Sequence, residues 1–209
     1  MSVKDEILQQ LESNKGSYIS GGQLANNLGV SRNAVWKAIK SLEKNGYQIT
    51  AVPNKGYCLS DQNDILSPSS INQYLKHPLN ISVYKTISST NTVLKEDANN
   101  GAPEGTVIIS EEQTAGRGRM GKKFYSPAGT GIYLSVLLRP DMPANESLFL
   151  TTSAAVATAK AIEDVSDKKA GIKWVNDIYI DSKKVCGILT EAAFNLETGK
   201  LDYAIVGIG

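Results

Sequence analysis

The chain has 209 residues, 41% of them hydrophobic, and a formal net charge of +1. This length and apolar fraction allow one or two domains with a substantial core, and the near-neutral charge confines any nucleic-acid binding to a local basic patch. The N-terminus lacks a basic-then-apolar secretory signal and no apolar run is long enough to cross a bilayer, so a cytoplasmic chain with no membrane partner is expected.

The spacing of Val3, Ile7, Leu8 and Leu11 predicts a first helix, ended by Asn14-Lys15-Gly16. Ser20-Gly21-Gly22 opens a short second helix carrying Leu24, Ala25 and Leu28, and Gly29 closes it. Ser31 is a good N-cap for a third helix with Val35, Ala38, Ile39 and Leu42 facing inward, and Gly46 ends that helix. Tyr47–Val52 and Tyr57–Leu59 read as two strands joined by Pro53-Asn54-Lys55-Gly56. This order is that of a winged helix-turn-helix over residues 1–62, whose third helix would enter a major groove. Its outer face carries Arg32, Asn33, Trp36, Lys37 and Lys40, with Lys55 on the wing. The cations suit phosphates and the residues at the helix start suit base edges, although the same face could serve a protein partner.

Residues 63–80 read as a linker with a short connecting helix around Ile71, Tyr74 and Leu75, before an α/β domain over 81–209. There a strand at Ile81–Tyr84 is followed by Ser89-Thr90-Asn91 and a helix from about Thr92 to Asn99. Hydroxyls and free amides at that helix start would cap it or seat a polar ligand group. Thr106–Ser110 and Ile132–Leu138 read as strands. A buried helix is expected through Leu148, Leu150, Ala154, Ala155, Val156, Ala159 and Ile162. Ile172–Ile180 reads as one strand with Lys173, Val175, Asp177 and Tyr179 on one face, either as a site wall or as a wet edge. Asp181–Lys184 makes a hairpin turn to Val185–Leu189, and Glu197–Lys200 another to Tyr203–Gly209. Cys58 and Cys186 have no C-x-x-C partner and read as buried; the single histidine, His77, precedes Pro78 in a polar stretch, so no Ser-His-Asp or multi-histidine site is expected.

Between the strands at 106–110 and 132–138 lies Gly116-Arg117-Gly118-Arg119-Met120-Gly121-Lys122-Lys123. Three glycines and four cations in one loop leave it poorly restrained unless an anion orders it, and such a loop suits phosphate or carboxylate. Its glycines also satisfy G-x-G-x-x-G, but Ser126-Pro127-Ala128-Gly129 stops the helix that a dinucleotide fingerprint needs, which rejects that assignment.

Ser89-Thr90-Asn91, Glu112-Gln113, the Gly116–Gly121 loop, Lys173-Trp174-Val175-Asn176-Asp177, Gly187-Ile188-Leu189 and Gly207-Ile208-Gly209 together resemble the biotin protein ligase family. With the winged helix in front, the chain is similar to its bifunctional bacterial members, which also repress biotin synthesis genes. The resemblance implies an α+β chain: a winged helix-turn-helix followed by a mixed α/β ligase catalytic domain. Members continue past Gly207-Ile208-Gly209 with more catalytic domain and a small β-barrel, so it also implies a C-terminally truncated form. It implies that biotin and ATP, with Mg²⁺, give biotinyl-5′-AMP, and that the biotinyl group passes to a lysine of a biotin carboxyl carrier domain. The adenylate would act as corepressor, favouring a homodimer on operator DNA. Lys173, Arg117 and Arg119 would be catalytic. Biotin would meet Ser89, Thr90, Asn91, Gln113, Gly116, Arg117, Gly118, Arg119, Lys173, Asp177, Gly187 and Ile188. The nucleotide would meet Arg119, Lys122, Phe124, Lys173 and Asn176, with Phe124 where many relatives stack a tryptophan on adenine. DNA would meet Gly22, Gln23, Ser31, Arg32, Asn33, Trp36, Lys37, Lys40 and Lys55. The alternatives are a non-catalytic biotin-sensing DNA-binding regulator and a lipoate-type acyl ligase.

Overall fold

The computed structural model describes residues 2–209, which form two compact units divided between Pro78 and Leu79. Among the described residues, no helix is long and apolar enough to cross a membrane.

The first unit holds three helices, α1 (Val3–Ser13), α2 (Gly21–Leu28) and α3 (Arg32–Lys44), then a hairpin of β1 (Ile49–Val52) and β2 (Gly56–Leu59). Each helix starts on a serine whose hydroxyl accepts a backbone amide of the first turn: Ser2 from Asp5, Ser20 from Gln23 and Ser31 from Ala34. Gly29 leaves α2 in the left-handed conformation at φ 64°, which sets up the turn into α3. Ile7, Leu11, Leu24, Val35, Ile39, Leu42 and Leu59 are fully buried together, each contributing roughly 1.5–3 kcal/mol over exposure. The expected linker packs on this unit instead of hanging free. Asn63 is buried, accepting the Gln48 amide on Oδ1 at 3.1 Å and the Lys15 ammonium on its carbonyl at 2.7 Å. Ser67 caps the short α4 (Pro68–Asn72) and donates to the buried Glu12 carboxylate at 2.6 Å. Three long-range polar contacts, to Glu12 of α1, to Lys15 just after it and to Gln48 just before β1, therefore fix a stretch whose composition reads as solvated.

In the second unit one seven-stranded sheet runs in the order β3-β4-β5-β9-β8-β7-β6, with only β3 and β4 parallel. The strands are β3 (Asn80–Tyr84), β4 (Thr106–Ser110), β5 (Tyr133–Leu138), β6 (Gly171–Lys173), β7 (Asp177–Ile180), β8 (Lys183–Phe194) and β9 (Leu201–Ile208). Helix α5 (Thr90–Asn99) covers one face and α6 (Leu148–Val165) the other. The period of two along β9 serves both layers: Tyr203 and Ile205 pack with Leu94 and Ala98 of α5, and Val206 with Ala155 and Ala159 of α6. Burial pushes the Cys186 thiol up, against the opposing effect of the Gly209 backbone. The Arg139 guanidinium donates to the carbonyls of Ala98 and Ala102 at the end of α5 and lies over the Tyr203 ring, fixing the helix at its carbonyl end.

Two elements differ from expectation. The stretch 172–180 is not one strand: β6 and β7 form a hairpin through the turn Trp174–Asn176, so Lys173 lies across from Asp177 rather than two positions before it on a continuous face. Helix α6 buries only Thr151, Ala155 and Ala159, while Leu148 and Val156 are exposed because the helix meets the sheet along a narrow stripe.

Gly56 adopts φ 109°, and a Cβ there would collide with the Ile19 carbonyl, whose strand-like bridge to Tyr57 closes the first unit. Gly56→Ala is expected to destabilise this unit by about 2 kcal/mol or more, seen as a lower urea midpoint.

Candidate functional site

The site begins where α5 starts. Sheet register sets Ser135 of β5 opposite Gly207 of β9, and Gly207 opposite Leu189 of β8. Over this row lies Asn91. Its Oδ1 accepts the fully buried Ser135 hydroxyl at 2.6 Å, and its Nδ2 donates to the Leu189 carbonyl at 3.3 Å and to Glu191 Oε2 at 2.8 Å. A Cβ at position 207 would strike the Asn91 carboxamide, so the glycine is what lets this side chain lie on the sheet. Ser89 stands at the N-cap without making a side-chain cap bond. That duty falls to Gln113, whose Oε1 accepts both the amide and the hydroxyl of Thr90, at 2.8 and 3.1 Å, while its Nε2 donates to Ser126 Oγ at 2.9 Å.

The glycine–arginine loop makes hydrogen bonds of its own. Phe124 N donates to Gly116 O at 2.9 Å, Gly118 N to Lys122 O at 2.7 Å, and Arg119–Gly121 forms a short 3₁₀ turn. Both of its arginines meet protein acceptors. Arg117 donates to both Glu191 oxygens, at 3.0 and 2.9 Å, and Arg119 to Asn176 Oδ1 at 2.8 Å. The Asn176 amide is itself fixed by donating to the Ile188 carbonyl and to Asp177, and Asp177 also accepts Lys184 at 2.7 Å. The ion pairs are partly exposed, so each contributes about 1 kcal/mol or less.

These groups surround a cleft of about 470 Å³, open to solvent. Of the residues expected to bind biotin or nucleotide, Ser89, Thr90, Asn91, Gln113, Arg117, Gly118, Arg119, Phe124, Asn176, Gly187 and Ile188 line it. The expected Gly116, Lys122, Lys173 and Asp177 do not. Gly116 is buried against Phe124 O and Ser126, Lys122 is exposed, and Asp177 supports Lys184 and Asn176. Lys173 sits on the outermost strand with its ammonium 5.6 Å over the Tyr179 ring. The cleft's lysine is Lys184. Strict alternation on β8 would place Lys184 with the buried Cys186, but Tyr179 pairs with Lys184 and Ile178 with Cys186. Val185 is therefore an extra residue, which turns Lys184 to the face of Asp177 and Gly187. Such a bulge leaves no signal in a single sequence. Leu189, Gly207, Ile208 and Gly209 complete the lining, and Phe124 meets Tyr133 edge-on at 6.4 Å.

In the first unit, Gln23, Ser31, Arg32, Asn33, Trp36, Lys37, Lys40 and Lys55 are all exposed, and Gly22 is partly so beside the Arg32 guanidinium. Trp36 is half exposed. Lys40 pairs with Glu43 at 2.6 Å, and the Lys55 ammonium lies 5.9 Å from the Tyr18 ring centre.

Ser135→Ala leaves the Asn91 carbonyl oxygen without its donor. The expected cost is about 1–3 kcal/mol of unfolding free energy, measured by urea denaturation of the whole chain.

Over its full length this chain is 40% identical to the bifunctional ligase/repressor BirA of Bacillus subtilis, and it spans 64% of that relative. It is 34% identical to BirA of Escherichia coli, with 93% of this chain and 59% of that one matched. The chain thus spans less than two thirds of the length of these curated relatives. Among solved structures it is similar to the biotin protein ligase from Aquifex aeolicus in complex with biotin and ATP. There the identity is 35% and the TM-score 0.51, with 62% of this chain and 50% of that one covered. The ligase from Leishmania major in complex with biotinyl-5-AMP gives 26% identity and a TM-score of 0.54, with coverage of 64% and 57%. Residues 4–58 match an HTH domain, and with residues 83–209 matching its family model the chain belongs to the biotin/lipoate A/B protein ligase family.

Proposed function

We propose that the chain is an ATP-dependent biotin protein ligase joined to a biotin-responsive transcriptional repressor. The carboxylate oxygen of biotin attacks the α-phosphorus of ATP, the bond from that phosphorus to the bridging oxygen breaks, and pyrophosphate leaves. The ε-amine of a lysine on a biotin carboxyl carrier domain then attacks the acyl carbon, AMP departs, and the amine proton passes to solvent. The observation that carries this reading is one cleft in which Arg117, Arg119 and Lys184 meet neutral hydrogen-bonding groups. Cations suit a carboxylate and a phosphate held in contact, whereas Ser89, Thr90, Asn91 and Gln113 suit a neutral ureido ring and tail. Lys173 keeps the role the sequence assigns to it, since strand register sets it across from Asp177 and Asp177 across from Gly187 of the cleft, and Lys184 adds a further cation there. Phe124 offers a ring face to adenine. Mg²⁺ would come with the ATP phosphates as part of the nucleotide substrate, since this ion prefers phosphate oxygens and retained waters.

The exposed face of α3, with Arg32, Asn33, Trp36 and Lys37, would enter the major groove of an operator while Lys55 meets phosphate. The adenylate would favour a homodimer on a two-fold operator in a cytoplasmic setting, since a ligand that orders a dimer surface must favour the dimer.

Calorimetric titration of biotin with and without ATP and Mg²⁺, with pyrophosphate followed in parallel, tests the reading. Binding with pyrophosphate release is expected. Binding without release would leave a sensor, and release with lipoate but not biotin would leave a lipoate-type ligase. Lys173→Ala is expected to lower pyrophosphate release by about 10²-fold, and Lys184→Ala by less than about tenfold; the reverse order would move the role to Lys184. In the first unit, Lys37→Ala is expected to weaken binding to any duplex and to reduce the salt slope by about one, read by fluorescence anisotropy.

A further inference from the structure

The two arginines of the glycine-rich loop are held differently. Arg117 meets a carboxylate, with both Glu191 oxygens within 3.0 Å of one guanidinium nitrogen. Arg119 meets only the neutral Asn176 carbonyl oxygen at 2.8 Å. Both contacts have an ionised donor, but only Arg117 also meets an opposite charge, so its attachment is the stronger of the two. Both supports are themselves held, and they differ in charge and in place. Glu191 lies within β8 opposite Ile205 of β9, and its Oε2 also accepts Asn91 at 2.8 Å, so the carboxylate is fixed from two sides. Asn176 lies in the turn between β6 and β7, at the outer end of the sheet.

We propose that Glu191 is a positioning residue that anchors Arg117, and with it the 116–123 loop, before any ligand arrives, leaving Arg119 as the cation that exchanges its protein partner for an anion. The inference rests on the ligase reading of the cleft and divides a task there given to both arginines. An incoming carboxylate or phosphate competes with a neutral amide for Arg119 but with a fixed carboxylate for Arg117. Arg119 therefore turns to the ligand while Arg117 stays in place. Glu191 touches no reacting atom. It acts by keeping the loop close to its bound shape, which lowers the ordering cost at binding.

Hydrogen–deuterium exchange of the 114–124 segment in the ligand-free chain tests the anchor directly. Glu191→Gln is expected to speed exchange there roughly fivefold, with exchange in α1–α3 unchanged. Arg117→Gln should do the same from the other side of the pair, which covers the case in which Glu191→Gln fails to fold. Arg119→Gln should leave ligand-free exchange near that of the unaltered chain and abolish the further protection given by biotin and ATP. In steady-state pyrophosphate release, Glu191→Gln should raise the KM for biotin about tenfold with kcat changed less than about threefold. A purely structural role would lower Tm without moving KM. Unchanged exchange in both Glu191→Gln and Arg117→Gln would overturn the proposal, as would Arg119→Gln alone loosening the free loop. Because the exchange measurement needs no ligand, it decides the anchor even if the unaltered chain releases no pyrophosphate and the ligase reading fails.

Discussion

Helix α5 begins over the middle of a sheet, where the polar groups of its first turn must find partners largely without water. Much of the site follows from how that demand is met. Gln113, arriving from the segment after β4, takes the Thr90 amide and hydroxyl. Ser135 of β5 and Glu191 of β8 hold the Asn91 carboxamide, and Gly207 of β9 leaves the space for it. One helix end thus ties together segments from four parts of the chain. The far end is held by Arg139 on the last carbonyls, so the helix is fixed along its axis at both ends. A leaving polar group is costly in such a place, since its partner stays buried and unpaired.

The cations around the cleft show the same economy of partners. None of Arg117, Arg119 and Lys184 is left without an acceptor: Glu191, Asn176 and Asp177 receive them in turn. Positive charge gathered around one cleft repels itself, and nearby carboxylates offset that cost. The two ion pairs are partly exposed, so each restrains its cation by about 1 kcal/mol or less. A deeply buried ion pair would hold the loop better and yield to a ligand less readily.

The two units build their helix starts by opposite means. In the first unit every cap is local: Ser2, Ser20 and Ser31 each serve the turn that follows them. In the second unit the helix that faces the cleft is capped from a distance, which leaves Ser89 at the N-cap without a side-chain cap bond. Local capping gives α3 a defined start and keeps its outward residues exposed. Distant capping makes the start of α5 part of a network that includes the loop and the sheet.

That difference also explains what could be read in advance. The winged-helix order, the strand at Thr106–Ser110, the Ser31 cap and the glycine–arginine loop are all legible in the sequence. Each rests on residues close together in the chain: a period of 3.6 or 2, a cap and the amide it serves, a run of glycines and cations. The hairpin break at Trp174–Asn176 and the bulge at Val185 leave no such mark, because either register satisfies the local pattern and only pairing with neighbouring strands chooses between them. So the sequence determined by itself which elements form and which chemical groups are on offer. The tertiary structure alone decided that Lys184 joins the cleft, that Gln113 caps a helix more than twenty residues before it, and that Glu191 holds Arg117. The physical reason is that a side chain's direction and partners depend on strand register and long-range contact, neither of which is encoded by residues adjacent in the chain.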